Sequence, residues 1–203
     1  MNIKSTLTNE VRNKLGQVPY LLDLLNFDGV YLAGGLLRTL YSKTEEFSPE
    51  KTDVDLFFQS ELQLQIVQSY LENETAYKKV FQCPEGKLAS FVYKNSEEPA
   101  WKLQLITVSF YPDIDAVLNS FDFTVTMFGT DGLDTVSGEF SNQDVEDMRL
   151  RWNKVTYPAS SLRRMMKYAK KGYTMREEDY QLFVERVWSH DVNIIDDKLV
   201  YVD

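Results

Sequence analysis

The sequence predicts an α+β protein in which a mixed β-sheet head is followed by a helical neck. Short runs of apolar and β-branched residues, bounded by turn residues, recur up to residue 140 and are typical of strands. From Ser141 onward the spacing of apolar residues becomes helical. A hydrophobic content of 43% is ample for a packed core. We therefore divide the chain into a head, residues 1–140, and a neck and tail, residues 141–203.

The first part of the head alternates helices and strands. Thr8 can cap a helix over residues 8–26, which Pro19 should break or kink. The apolar run YLA ends at a pair of glycines, and a second apolar run follows a polar stretch that contains Pro49. The predicted order is a helix at 8–26, a strand at 30–33, a helix at 36–41, a loop at 44–51, a strand at 54–58 and a helix at 62–71.

The later part of the head is richer in strands. Residues 101–110, WKLQLITVSF, alternate for part of their length, and residues 121–128, FDFTVTMF, are rich in β-branched and aromatic residues. The predicted strands are 77–82, 88–93, 101–110 and 121–128, with a short helix at 113–118. The predicted helices of the tail are 142–150, 160–172 and 177–189.

Composition limits the chemistry. One cysteine, Cys83, cannot form an intramolecular disulfide, and one histidine, His190, excludes a zinc site built from several histidines. No leader pattern or membrane-length apolar run is present in this sequence, so we expect a soluble, cytoplasmic protein that does not enter a membrane.

Charge is distributed unevenly. The chain has a net charge of −9, yet residues 149–176 hold nine Lys and Arg residues and no acid. This asymmetry indicates either a localised anion site or a solvated helix face.

Two aspartates suggest a metal site. Asp53 and Asp55 are separated by one residue in a predicted strand, so both side chains should point to the same face. Adjacent carboxylates repel each other unless a cation lies between them, and their hard oxygens suit Mg²⁺ or Mn²⁺. The alternative is an exposed edge strand that carries charge against aggregation.

The glycine pair Gly34–Gly35 suggests a phosphate site. Glycines between a strand and a helix allow close approach of a ligand to the backbone, and the start of a helix attracts anions. Arg38 lies one turn further on and can reach the same position. The alternative is a tight turn with a packing glycine. Together with the aspartates, this arrangement suits chemistry on a nucleoside triphosphate.

The order of these elements resembles the DNA polymerase β-like nucleotidyltransferase superfamily, and within it the head and neck of tRNA CCA-adding enzymes and bacterial poly(A) polymerases. In those enzymes a Gly-Gly-x-Val-Arg-Asp element precedes the metal-binding Asp-x-Asp. Residues 122–127, DFTVTM, resemble a second family element, and residues 162–173, LRRMMKYAKKGY, resemble the neck helix. The resemblance covers residues 28–175 and implies a mixed-sheet nucleotidyltransferase head followed by a helical neck.

This sequence also departs from the family. Thr39 follows Arg38 where the family has Asp, and Ser120 and Phe121 replace two arginines. The element that reads the base in the family, Glu-Asp-x-x-Arg, falls on residues 157–161, which are YPASS. We therefore do not expect CTP and ATP selection of the family type, nor a true CCA-adding enzyme.

A third carboxylate is not evident. The strand 101–110 offers Gln104 where the superfamily has an acid, and Asp122 is the other candidate. Asp122 is either catalytic or a structural residue where head and neck meet.

The basic segment forms the predicted neck helix. Ser160 or Ser161 can cap it, and Leu162, Met165, Met166 and Ala169 are spaced as one apolar face. Arg164, Lys167 and Lys171 form a second stripe, flanked by Arg163 and Lys170. We expect Arg163, Arg164, Lys167 and Lys171 to bind phosphate. Tyr168 and Tyr173 are expected in the core rather than stacked on a base.

The predicted function is metal-dependent transfer of a nucleoside monophosphate from an NTP to a hydroxyl group on RNA, protein or a small molecule. Asp53 and Asp55 would hold the metal. Gly34, Gly35, Arg38 and the basic helix would hold the NTP. Two alternatives remain open: a nucleotidyltransferase-fold protein that acts by binding or regulation, and a phosphotransferase of unrelated fold.

Overall fold

A computed structural model describes residues 2–82, 88–93 and 100–189 of the chain. Cys83, His190 and the tail beyond residue 189 lie outside the described residues. The strands are β1 (Ile3–Thr6), β2 (Val30–Ala33), β3 (Val54–Phe58), β4 (Tyr77–Gln82), β5 (Leu88–Tyr93), β6 (Lys102–Ile106), β7 (Phe128–Thr130) and β8 (Asp134–Ser137). The helices are α1 (Asn9–Leu15), α2 (Leu21–Leu24), α3 (Gly35–Thr39), α4 (Glu61–Asn73), α5 (Ile114–Leu118), α6 (Ser141–Glu146), α7 (Pro158–Lys170) and α8 (Glu177–Trp188).

The strands form one mixed sheet, as predicted. Its order is β1-β8-β7-β2-β3-β6-β5-β4. β3 pairs antiparallel with β2 and parallel with β6, and the other neighbouring strands are antiparallel. Leu56 of β3 therefore lies between Leu32 of β2 and Leu105 of β6.

The two faces of the sheet pack against different cores. Val54, Leu56 and Phe58 of β3 have no exposed surface and belong to a large core with α1, α2, α3, α4, α7 and α8. Phe57 points the other way into a smaller core beneath α5. This alternation leaves part of the second face, next to α5, available for polar side chains.

The N-terminal segment folds as two short helices rather than one. Thr8 caps α1, since its Oγ1 accepts a hydrogen bond from the Val11 N–H at 3.3 Å. α1 ends at Leu15, and α2 begins after Tyr20, which adopts the left-handed conformation with φ 61°. The predicted break at Pro19 is therefore confirmed, with the interruption extending over residues 16–20.

The strand predicted at 121–128 is wrong. Residues Thr124–Thr126 form a 3₁₀ turn, and only Phe128 belongs to a strand, β7. Threonine hydroxyls stabilise the turn: Thr124 donates to the Asp144 carboxylate at 2.7 Å, and Thr126 donates to the Phe123 carbonyl at 2.8 Å. Hydroxyls that bond locally compete with a sheet for the backbone.

Several other boundaries differ from the prediction. β6 stops at Ile106 rather than 110, and α6 stops at Glu146 rather than 150. β1, β7 and β8 were not predicted: they are three or four residues long and, unlike β2, none is a continuous apolar run. Strands this short carry little periodic signal.

The neck helix α7 buries a different face from the one predicted. Leu162 is 37% exposed and Met166 58% exposed, whereas Ser161 and Tyr168 are buried. The predicted serine cap is also wrong: Pro158 is the first helical residue, Tyr157 is the N-cap, and the Ser161 hydroxyl donates to the Tyr157 carbonyl at 3.1 Å. Proline suits the first position because it lacks an N–H group.

The tail packs onto the head through aromatic side chains. Tyr168, Tyr173 and Phe183 join the large core, and Phe183 lies 5.7 Å from Phe123 between ring centroids. The two tyrosines therefore occupy the core, as predicted.

The division of the chain into a head and a tail at residue 140 remains a prediction. Within the described part of the chain, no helix has the length and apolarity needed to cross a bilayer.

We predict that Phe183→Ala destabilises the protein by about 3–5 kcal/mol, because it removes a fully buried ring and leaves a cavity. Denaturant unfolding of the whole chain measures this change. The control is Leu182→Ala at the adjacent position, which is 52% exposed and should cost at most about 0.5 kcal/mol. Equal effects of the two substitutions would contradict the packing described for α8.

Candidate functional site

A cavity of about 550 Å³ lies where the glycine pair, β3, β6 and α7 meet. This size is in the range of small-ligand sites. Basic side chains outnumber acidic ones in its lining, although the whole chain is acidic. The basic residues are Arg38, Lys51, Lys102, Lys154, Arg164, Lys167 and Lys171, and the acidic ones are Glu50, Asp53, Asp55 and Asp122. Such a lining favours an anionic ligand.

Asp53 and Asp55 both line this cavity, while Val54 between them has no exposed surface. The sequence prediction that the two carboxylates share a face is therefore confirmed by the geometry. Asp55 lies beside Gly34: a Cβ atom built on that glycine would be 3.7 Å from Asp55 Oδ2. Pairing of β2 with β3 brings the glycines and the carboxylates together.

Gly34 has a backbone conformation that requires glycine. Its φ is 97° and its ψ is −138°, a combination that other residues rarely adopt. Its N–H donates to the Phe128 carbonyl at 2.8 Å, which holds the turn in place. The helix α3 that follows has only five residues, so its dipole adds less to anion binding than the sequence suggested.

Asp53 has two polar neighbours on β6. Gln104 Nε2 donates to Asp53 Oδ2 at 2.9 Å, and Lys102 Nζ lies 3.5 Å from Asp53 Oδ1. Gln104 is 4% exposed and is paired with Asp55 in the strand register. The β6 residue beside the two aspartates is therefore an amide and not a third carboxylate.

The donor set fits one magnesium-like ion. Within the described residues, no group of three or more His, Cys, Asp or Glu side chains is placed to hold a metal. Mg²⁺ is commonly held by one or two carboxylates, with water and substrate phosphates completing its shell. Asp53 and Asp55 supply such a pair and are the residues that could hold an ion of this kind.

Arg38 and Lys171, both predicted to bind phosphate, contact a carboxylate of the chain itself. Arg38 donates two hydrogen bonds to Glu45, at 2.7 and 2.8 Å, and Lys171 Nζ lies 2.6 Å from Glu45 Oε2. Arg38 also donates to the Tyr168 hydroxyl at 2.9 Å. We call these four residues, with Tyr173, the Glu45 cluster. Sequence reasoning missed Glu45, since it lies in a polar loop far along the chain from residue 171.

The Glu45 carboxylate is ionised at neutral pH. Burial alone would raise the pKa of Glu45, but Arg38 and Lys171 outweigh burial and lower it. Burial and the neighbouring Arg38 charge lower the pKa of Lys171, and Glu45 opposes that shift. Glu45 thus connects the loop before β3 to α3 and to the end of α7.

Asp122 contacts Arg164 of α7 through a short salt bridge. Its carboxylate is 5% exposed, and its backbone carbonyl accepts a hydrogen bond from the Asn153 N–H at 2.6 Å. Of the two roles considered for Asp122, this geometry favours the structural one, which links the segment after α5 to the neck helix.

The remaining basic residues of α7 differ in position. Lys167 is exposed and lines the cavity, whereas Arg163 is exposed and lies outside the lining. The structure also adds Lys102, Lys154 and Tyr157 to the lining, none of which was predicted. Lys102 could have been found from its sequence, because it alternates with Gln104 in the WKLQLI run.

Sequence comparison gives one family. Residues 2–151 match the family described as Gabija anti-defense 2 family protein. The chain is also 30% identical over 165 residues to a protein named Gabija anti-defense 2 from Bacillus phage SPbetaL7, over 79% of this chain. The chain spans only 38% of the length of that curated relative.

Structure comparison gives a second group of similar proteins. A CCA-adding enzyme in its apo form I superposes with a TM-score of 0.67 at 16% identity, covering 92% of this chain and 46% of the enzyme. A CCA-adding enzyme with CTP gives 0.59 at 17% identity, over 93% and 47% of the two chains. Thermotoga maritima CCA-adding enzyme complexed with tRNA gives 0.55 at 15% identity, over 92% and 46%. These similarities confirm the polymerase β-like nucleotidyltransferase fold inferred from the sequence motifs.

We predict that Glu45→Gln lowers the free energy of unfolding by about 3 kcal/mol at pH 7, because it leaves buried Arg38 without its charge partner. The folded-state pKa of Glu45 lies below its ordinary value of 4.5, so its stabilising contribution is present above that pH and is lost as pH falls through the folded value. The difference between wild type and variant, measured by urea unfolding, should therefore stay constant from pH 7 down to about 5 and shrink as pH falls below 4.5.

The control for this prediction is Glu46→Gln, which changes the same residue type at the next position. Glu46 pairs with Lys51 on the surface, where its side chain is 67% exposed. Little change in stability is expected there, since exposed ion pairs contribute weakly. A pH-independent difference for Glu45→Gln would contradict the charged cluster.

Proposed function

The chain belongs to the Gabija anti-defense 2 family, and from its nucleotidyltransferase fold and its cavity we propose that it transfers a nucleoside monophosphate from an NTP to a hydroxyl acceptor. One observation carries the proposal: Asp53 and Asp55 face a largely basic cavity beside the glycine turn. Carboxylates next to a phosphate-accessible backbone are what metal-assisted chemistry at phosphorus needs.

The NTP would be held by groups from both head and neck. Lys167 and Lys154 line the cavity and supply positive charge for the triphosphate, and the turn at Gly34–Gly35 gives the phosphates access to the backbone. Arg164 lines the same cavity while paired with Asp122, so its position is fixed before a ligand arrives. A preorganised guanidinium binds phosphate oxygens at lower entropic cost.

Asp53 and Asp55 would hold the Mg²⁺ or Mn²⁺, which when bound neutralises phosphate oxygens and orients the α-phosphate. The acceptor hydroxyl oxygen would bond to the α-phosphorus and lose its proton to solvent, while the bond from the α-phosphorus to the bridging oxygen breaks and pyrophosphate leaves. Catalysis of this kind consists mainly of positioning and charge stabilisation, which a basic cavity supplies.

Selection of the base would differ from that in CCA-adding enzymes. The segment YPASS contributes Tyr157 to the cavity lining and contains no charged side chain. Tyr157 can stack on any base, since every base has a π face. We therefore expect weaker discrimination between NTPs than a charged base-reading element gives.

The family name suggests that the target of the proposed transfer belongs to the Gabija defense. The phage relative is named for action against Gabija, and we propose that the acceptor hydroxyl belongs to a component of that defense, whether protein, RNA 3′ end or small molecule. This chain spans only 38% of the relative's length. We propose this target for the part of the relative that the chain matches, and the relative's additional residues can also contribute to choosing the target.

A second candidate function is nucleotide binding without transfer. Gln104 stands where the superfamily has an acid, and Glu45 contacts two of the basic residues that line the cavity. Loss of the third carboxylate removes the usual base for the acceptor hydroxyl. Such a protein would act by sequestering or sensing NTPs.

We predict that the wild-type chain transfers label from an α-³²P-labelled NTP to a macromolecule or small molecule in an extract from Gabija-containing cells, with Mg²⁺ or Mn²⁺ present. Asp55→Asn should reduce transfer by about 100-fold or more, because it removes a metal-binding carboxylate. Scintillation counting of separated protein, RNA and small-molecule fractions measures the transfer.

The matched control is Asp147→Asn, an exposed aspartate outside the cavity, which should leave transfer unchanged. Metal-dependent thermal stabilisation by NTPs without any α-label transfer would support the binding function instead. Transfer of γ-label rather than α-label would contradict nucleotidyl transfer and indicate a phosphotransferase.

A further inference from the structure

Four polar side chains form a compact group where β3 and β6 run parallel. Asp55 of β3 is paired in register with Gln104 of β6, Lys102 is the first residue of β6, and Asp53 immediately precedes β3. Side chains two residues apart share a face. All four line the cavity, whereas the residues between them, Val54 and Leu103, have no exposed surface.

Within this group both oxygens of Asp53 face a donor from β6. The Gln104 amide donates to Oδ2 at 2.9 Å, and the Lys102 ammonium lies 3.5 Å from Oδ1. The Lys102 side chain is 31% exposed, so its ammonium is at the cavity wall rather than in open solvent. The Lys102 ammonium is therefore a cation that already lies beside Asp53.

These contacts disfavour a second divalent cation. Two-metal sites for phosphoryl transfer rely on several carboxylates that offset the charge of two ions about 4 Å apart. Within the described residues no third carboxylate joins Asp53 and Asp55, since the β6 residue paired with Asp55 is the neutral Gln104, and the Lys102 ammonium lies 3.5 Å from Asp53 Oδ1. A second divalent cation next to Asp53 would be repelled by the Lys102 ammonium, because like charges a few ångströms apart repel strongly in a partly desolvated site.

We propose that the site binds one divalent cation, shared by Asp53 and Asp55, and that Lys102 and Gln104 take the place of a second. This inference rests on the proposed function, because it assumes that an NTP and a metal bind in the cavity. It assigns Lys102 as the positive charge that balances Asp53, and Gln104 as the residue that fixes the orientation of that carboxylate.

The experiment counts Mn²⁺ ions by electron paramagnetic resonance in the complex of the full chain with the α,β-methylene analogue of ATP or CTP. These analogues block transfer at the α-phosphorus, so the count does not depend on activity. The Asp53→Asn/Asp55→Asn variant gives the background from ions elsewhere on the acidic surface. Wild type should bind one Mn²⁺ per complex above this background.

The variant Lys102→Met/Gln104→Glu should bind two, with the second ion at least about tenfold tighter than in wild type, because it removes the ammonium and restores a carboxylate. The matched control is Lys78→Met/Gln65→Glu, which makes the same changes at exposed positions on β4 and α4 and should bind one. The single change Lys102→Met keeps the buried amide and serves as a second variant, with an intermediate affinity for the second ion.

Two Mn²⁺ ions per complex in wild type would overturn this inference and leave the proposed function standing. A count of one in the folded Lys102→Met/Gln104→Glu and Lys102→Met variants would also overturn it. Absence of any nucleotide-dependent Mn²⁺ binding by wild type would overturn the proposed function together with the inference. The number of Mn²⁺ ions bound by the wild-type complex distinguishes one ion from two even if the Lys102 and Gln104 variants do not fold.

Discussion

The arrangement of the site depends on the alternation of side chains along β3. Val54, Leu56 and Phe58 are fully buried in the large core, so Asp53 and Asp55 must point to the other face. A register shift of one residue would bury two carboxylates and expose three apolar side chains, at a cost of several kcal/mol per charge. The strands next to β3 then place Gly34 beside Asp55 and Gln104 in hydrogen-bond contact with Asp53.

The basic segment of the tail serves more than one purpose. Arg164 and Lys171 pair with Asp122 and Glu45 of the head, which attaches the neck helix to the cavity wall. Lys167 lines the cavity, and Arg163 is exposed outside it. The basic segment is therefore neither only an anion site nor only a solvated helix face. Some of its basic side chains form salt bridges within the chain, and others line the cavity or are exposed to solvent.

Local pattern was sufficient where an element is regular and its burial is one-sided. The bounds of β2, β3, β4 and β5 agree with those expected from sequence, and the alternation of β3 placed both aspartates correctly. The sequence pattern gave wrong or incomplete predictions where contacts between residues far apart in the chain determine the local structure. Thr124 bonds to Asp144, which turns a strand-like sequence into a 3₁₀ turn, and Glu45 meets residues more than a hundred positions away. On α7, packing against the head buries Tyr168 and leaves Leu162 and Met166 exposed.

The central claim is that Asp53, Asp55 and the glycine turn form a metal–nucleotide site. The most direct test is a crystal structure with Mn²⁺ and an α,β-methylene NTP analogue, using anomalous scattering to locate manganese. The account predicts a peak about 2 Å from oxygens of Asp53 or Asp55 and of the phosphates, with the triphosphate beside Gly34. Manganese or nucleotide bound elsewhere, with these carboxylates contacting only Lys102 and Gln104, would contradict it.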